Sequence, residues 1–226
     1  MSTQNLKDKE DLILPLKWKP GEDRMSKLLL SDPKIINLVV HSLVDASIPA
    51  NSYIPAQTEW TDTQGVYTLY ASREKNDDRL APVLVAVHEE VTHVTMLDTI
   101  EYCTMVYGKF RLLPTVLIIS INGLSSLMDD NEFSVVDDLF LVQCKSNFWA
   151  RKCFLFFPDS VNKSVTNTPR PSLTPLCQFI CNPNKTLIFH HNLETETISL
   201  TCEVVTNRES LNKNFYFDNK DINKNI

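Results

Sequence analysis

The stretch Pro82–Ile121, PVLVAVHEEVTHVTMLDTIEYCTMVYGKFRLLPTVLIISI, holds the pattern from which the rest of the chain can be read. Pro82–Val87 is apolar at every position, which marks a strand buried on both faces and set near the centre of a sheet. From Met96 to Phe110 the apolar residues Met96, Ile100, Cys103, Val106, Tyr107 and Phe110 recur at helical spacing and predict one amphipathic helix. Pro114 then leads into Thr115–Ile121, a third buried strand. A strand, a helix and a strand in that order predict a parallel crossover.

Upstream, Val66–Ser72 (VYTLYAS) is rich in aromatic and β-branched residues and reads as a strand, paired in a hairpin with Pro82–Val87 across the solvated turn Glu74–Leu80. Asp32-Pro33 opens a helix, with an acid as N-cap and Pro at the first position, and Ile35 to Val44 follow a helical spacing. Ile48–Pro55 reads as a Pro-bounded connector. Downstream, Asp138–Cys144 and Lys152–Phe157 are short apolar runs, two strands or a strand and a helix. A helix over Leu173–Cys181 follows, and Thr186–His190 and Thr197–Val205 read as late strands. The expected organisation is a polar arm over residues 1–24, one α/β domain over 25–206 and an Asn- and Lys-rich tail over 207–226.

Composition narrows the function. The chain has 226 residues, 43% hydrophobic and 22% charged, enough for a sizeable core. With 4 glycines it shows no glycine-rich phosphate loop. A formal net charge of −6 argues against a surface that grips nucleic acid everywhere, and leaves a local basic groove as the route to such binding. The N-terminal MSTQNLKDKEDLILPLKW lacks the apolar core of a signal peptide, and the longest apolar run, Leu112–Ile121, is too short to span a bilayer. Six cysteines scattered through apolar segments read as reduced, buried thiols in a cytoplasmic or nuclear protein without a membrane partner. In that setting the sequons at Asn162 and Asn184 carry no glycan.

The layout of helix, strand hairpin, helix and strand resembles the PD-(D/E)XK nuclease superfamily. Within it, PVLVAVHEEVTHVTMLDTIEYCTMVYGKFRLLPTVLIISI, LFLVQCKSNFWARKCFLF and PSLTPLCQFI are similar to the transposon-associated, recombination-promoting nucleases, in a fungal-looking form. The resemblance covers about residues 25–182. It implies a restriction-endonuclease-like core, a mixed central sheet flanked by helices, and in that family two strand acids hold a divalent metal while a Lys or Gln two residues after the second acid orients the attacking water. Carboxylates suit Mg²⁺, and the metal lowers the pKa of its water and stabilises developing charge. Residues two apart on a strand share a face, so acid and Lys meet at one site.

The chain departs from that pattern at each diagnostic position. The first acid's place falls near Tyr67 or Thr68, the second acid's place holds Ala86, and the Lys or Gln place holds His88. The following helix, where the family tends to show Arg, carries Asp98 and Glu101. Three readings follow: a remnant scaffold that binds DNA, a protein partner or another copy of itself with no cofactor; an active Mg²⁺- or Mn²⁺-dependent endonuclease with a displaced site; or an unrelated structural α/β module, since fold resemblance alone does not fix function. The displaced site would use His88 and Glu90, placed two apart on one strand face, with Asp62 and the support of Glu59 or Asp32; Asp62 and Glu90 would be the metal ligands. The plainer reading of His88 and Glu90 is a pair of polar residues at a strand end.

Other candidates are weaker. Cys177, Cys181, His190 and His191 loosely suggest zinc, though cysteines four apart on an apolar helix are more often core. His93 reads as a surface residue. Ser125, Ser126 and Ser172 lack a nucleophile elbow. Trp149 with Arg151 and Lys152 offers a basic-aromatic patch for nucleic acid, against the reading that Trp149 packs inward and the two cations are solvated.

Overall fold

The computed structural model describes residues 23–56, 67–74, 79–125, 133–136, 141–162 and 173–182. The chain enters through α1 (Asp23–Leu30), which buries Met25, Leu29 and Leu30, and turns at once into α2 (Pro33–Leu43). The Asp32 carboxylate accepts from the Lys34 amide at 2.9 Å and caps α2 as the sequence predicts. Ile35, Ile36, Val39, Val40 and Leu43 form its buried stripe.

Seven strands among the described residues make one mixed sheet: β1 (Tyr53–Pro55), β2 (Tyr67–Ser72), β3 (Val83–His88), β4 (Thr115–Ser120), β5 (Phe133–Val136), β6 (Leu141–Cys144) and β7 (Lys152–Phe156). Their spatial order is β1-β2-β3-β4-β7-β6-β5. Strands β1, β2 and β3 form an antiparallel meander; β4 lies parallel to β3 and to β7, and β6 returns antiparallel on β7. The helix α3 (His93–Phe110) makes the crossover from β3 to β4, and α4 (Pro158–Asn162) and α5 (Leu173–Cys181) follow β7.

Alternation along the strands divides the core. Val83, Val85, Val87, Leu117, Ile119 and Phe156 face α1, α2 and α5. Leu84, Ala86, Val116, Ile118 and Leu155 face Cys103 and Val106 of α3. Every residue of β3 and β4 is buried, as interior strands covered by helices on both faces must be. The Tyr70 hydroxyl crosses the first layer to donate to Leu30 O at 2.7 Å, tying the end of α1 to the sheet.

Several boundaries differ from the sequence reading. The first helix begins at Asp23, inside the stretch assigned to a loose arm, and the Ile48–Pro55 connector contains β1, which pairs at the sheet edge, where Pro is tolerated. Helix α3 starts at His93, three residues early, because Thr92 and Thr95 form a reciprocal capping box there. Tyr107, expected in its buried stripe, is 45% exposed, and Thr99 is buried instead. The run from Asp138 yields a strand from Leu141 only, the residues before it being outside the described set. Thr186–His190, Thr197–Val205, most of the N-terminal arm and the tail from 207 also lie outside the described residues. No helix among the described residues is long and apolar enough to cross a membrane.

Candidate functional site

The positions that the nuclease resemblance singles out meet on the α3 face of the sheet. Tyr67 and Ala86 are direct cross-strand partners, and His88 lies two residues along on the same face, beside Ser120 of β4. Ala86 is fully buried, enclosed by the apolar layer that includes Leu84, Ile118, Cys103 and Val106. Thr68 points to the opposite face, since Tyr67 and Leu69 take the α3 side.

Aromatic rings fill the space around Ala86. The Tyr67 ring lies 3.9 Å from the Tyr102 ring, tilted by 30°, and meets the His88 ring edge-on at 5.6 Å. The Thr99 hydroxyl donates to Thr95 O at 2.8 Å, so in the 3.2 Å contact between Tyr67 Oη and Thr99 Oγ1 the phenol is the donor. Burial pushes the Tyr67 phenol up to about 12, against the opposing pull of the Thr99 hydrogen bond. It is a neutral phenol at physiological pH, a poor ligand for Mg²⁺.

Strand β3 ends at His88, which is 9% exposed, and Glu89 and Glu90 occupy the bend beyond it, both exposed. His88 and Glu90 therefore do not share a strand face: one imidazole is buried under α3 while the carboxylate stands in solvent. The bend itself is tightly held. Ile121 and Asn122 donate to the carbonyls of His88 and Glu89 at 3.0 and 2.7 Å, and Val91 donates to Gly123 O at 3.0 Å. Gly123 adopts φ of 99°, where its amide and carbonyl both bond the Ser120 hydroxyl, at 3.1 and 2.6 Å. These bonds continue the β3–β4 pairing to the capped start of α3.

Of the supporting acids, Asp32 does not join the two. Asp32 caps α2 on the opposite layer. Glu59 and Asp62 lie outside the described residues. Asp98 is half-buried and Glu101 exposed on α3, and His93 is exposed in its first turn. Among the described residues no three His, Cys, Asp or Glu side chains are grouped to hold a metal ion.

Cys177 is buried on α5, where burial raises its thiol well above the ordinary value, and Cys181, one turn on, is pushed up to about 12 by burial and donates to Ser120 O at 3.4 Å. Both belong to the core layer under α5; His190 and His191 lie outside the described residues. Ser125 is half-buried with its amide bonded to Val91 O, and Ser126 and Ser172 are not described.

At the far end of the parallel strands lies a shallow cleft of about 540 Å³, lined in part by Tyr107 and Arg111 from the end of α3, Asn147 and Arg151 from the β6–β7 turn, and Leu112 and Leu113 below. Trp149 is half-buried against the α3 layer, while Arg151 and Lys152 are exposed. The sequence pointed to the latter three but not to their partners. Tyr107 and Arg111 lie some forty residues away, and no spacing rule links the end of one helix to a later turn.

The fold and its site define a mixed α/β sheet protein with helices on both faces. Compared with family models, curated proteins and solved structures, the chain matches none.

Proposed function

We propose that this chain is a PD-(D/E)XK-like scaffold of transposon-nuclease descent that has kept its fold and given up metal-dependent cleavage, and that it works as an intracellular binding or interaction module. The order of α2, the β2–β3 hairpin, α3 and a parallel β4 supports the likeness of architecture. The single observation that carries the loss of chemistry is Ala86. The position that would present the second acid is a methyl group sealed under α3, and its cross-strand partner is the neutral, hydrogen-bonded Tyr67.

A carboxylate needs water or a cation around it, because burying an unpaired charge costs several kcal/mol. An apolar and aromatic enclosure of this kind favours packing over coordination. Among the described residues five cysteines are free and four of them buried, in keeping with a reducing compartment.

The test is incubation of the full chain with supercoiled plasmid and Mg²⁺ or Mn²⁺, alongside His88→Ala and Glu90→Ala. No cleavage at any protein concentration is expected. Cleavage by the parent chain that disappears in both variants would instead establish an active endonuclease using His88 and Glu90 with Asp62.

A further inference from the structure

We infer that the cleft between the C-terminus of α3 and the β6–β7 turn binds single-stranded nucleic acid, with phosphates on Arg111 and Arg151 and bases against Tyr107 and Phe148. It lies at the starts of β3, β4 and β7, five residue steps or roughly 17 Å along the strands from His88 and Ser120. It goes beyond the nuclease-like reading and does not depend on it.

Charge segregation is the first support. The chain is acidic overall, yet neither residues 102–128 nor residues 139–158 contain a single Asp or Glu, although 28 occur in the whole. These two segments build the cleft. Around Arg111 and Arg151 they add Lys109 in the last turn of α3, Lys145 after β6 and Lys152 at the start of β7, all exposed. Among the described residues, Glu74 is an acid at this end, following β2 three strand positions from β7; Asp77 and Asp78 of the same connection lie outside the described residues.

Part of this cation set has structural work. Lys109 and Arg111 complement the negative end of the α3 dipole, and Arg151 Nη1 donates to Arg79 O at 3.3 Å, which fixes its guanidinium at the cleft wall. Helix capping does not account for Lys145 and Lys152, which flank the β6–β7 turn. It also leaves the rings unexplained. Phe148, between Asn147 and Trp149 in the same turn, is 98% exposed, and Tyr107 is 45% exposed.

Phe148, one residue from the cleft-lining Asn147 and 98% exposed, offers a free ring face in the turn that carries Arg151. Bases stack on such rings, and a sugar-phosphate chain is neutralised by guanidinium and ammonium groups. An acidic peptide would satisfy the cations but would leave the rings little to stack on. Single-stranded nucleic acid uses both features. Double-stranded DNA hides its base faces, so these rings favour an unpaired strand.

The experiment measures fluorescence anisotropy of fluorescein-labelled oligothymidine and oligouridine of about 20 nucleotides, long enough for a site of this kind, with a labelled polyglutamate peptide in parallel. The parent chain should bind at least one oligonucleotide, with affinity falling as salt rises between about 50 and 200 mM. Arg111→Glu with Arg151→Glu should weaken binding about tenfold or more. Phe148→Ala, at a site too exposed to affect folding, should weaken it by about fivefold or more through lost stacking. Preference between the two oligonucleotides tells DNA from RNA. Absence of binding to both, undiminished binding by Phe148→Ala and the charge-reversed chain, or capture of polyglutamate alone would each overturn the inference.

Discussion

Introducing an acid where the nuclease pattern would place one should destabilise the chain, by an amount that grows with pH. In Ala86→Asp the carboxyl would enter the layer formed by Leu84, Ile118, Cys103 and Val106, with Tyr67 across the strand pair. Two effects add. Extra atoms in a packed core cost about 1–3 kcal/mol, and Ala86→Asn reproduces that steric and polar part without a charge. Desolvation then raises the Asp pKa from its ordinary value of about 3.9 by some 3 units in a site of this kind.

The sign follows from linkage. Below pH 4 the carboxyl is protonated in both folded and unfolded chains, and Asp and Asn should cost alike. As pH rises the unfolded chain ionises while the folded one resists, so stability is lost at about 1.4 kcal/mol per unit up to the raised folded value near 7. Between pH 5 and pH 7.5 the Asp variant should therefore lose about 3 kcal/mol relative to the Asn variant. Urea unfolding at both pH values, with and without millimolar Mg²⁺, measures it. An Asp variant no worse than Asn at pH 7.5, or one that Mg²⁺ restores, would refute the claim that this enclosure is dry and apolar.

Three further outcomes follow from the packing and the buried groups. Phe179→Ala, which empties a fully buried site on α5, should cost about 3–5 kcal/mol by chemical denaturation, and a cost under 1 kcal/mol would show that α5 is not part of the core. Burial pushes the thiols of Cys103 and Cys181 up to about 12 and those of Cys153 and Cys177 well upward, Cys153 chiefly through its hydrogen bond with Cys144, so iodoacetamide at pH 8 should leave all four unlabelled until the chain unfolds, as peptide mass mapping will show. Tyr67, raised to about 12, favours the neutral phenol in the folded chain; that stability is complete below pH 10 and is lost as pH climbs toward 12, so a native ultraviolet titration that ionised Tyr67 near pH 10 would contradict its burial.

The centre of the sheet, β2 to β4, could be read from the residues because β3 and β4 are apolar at nearly every position and are bounded by Pro or by polar turns, while β6 and β7 stayed open between strand and helix and β5 was not read. VLVAVH and TVLIIS permit little else once they exist, and α3 between them shows its period. What escaped was structure that depends on partners. β1 is three residues with a Pro, too short to display alternation, and exists because β2 offers an edge. α1 is held by apolar contacts and the Tyr70 hydroxyl, from forty residues away.

The site divides along the same line. Ala86 and His88, at the positions that the nuclease resemblance singles out, were visible in the sequence, but not that the strand stops at His88, which places the imidazole under a helix and Glu90 in water. Beyond His88 the bend is held by Ile121 and Asn122 donating to the His88 and Glu89 carbonyls and by Val91 donating to Gly123 O, bonds that a local pattern does not encode. Thr99 replaces Tyr107 in the buried stripe for a comparable reason: it receives the Tyr67 hydroxyl from another element. The cleft is the extreme case, assembled by the crossover from segments that carry no motif.

Calorimetric titration of the native chain with Mn²⁺ probes the enclosure around Ala86 without any substitution. Heat no greater than that of nonspecific surface binding, unchanged in His88→Ala and in Glu90→Ala, is what a sealed layer of methyl groups and rings requires. Saturable uptake of one equivalent that either substitution abolishes would mean that a metal centre survives at the end of β3.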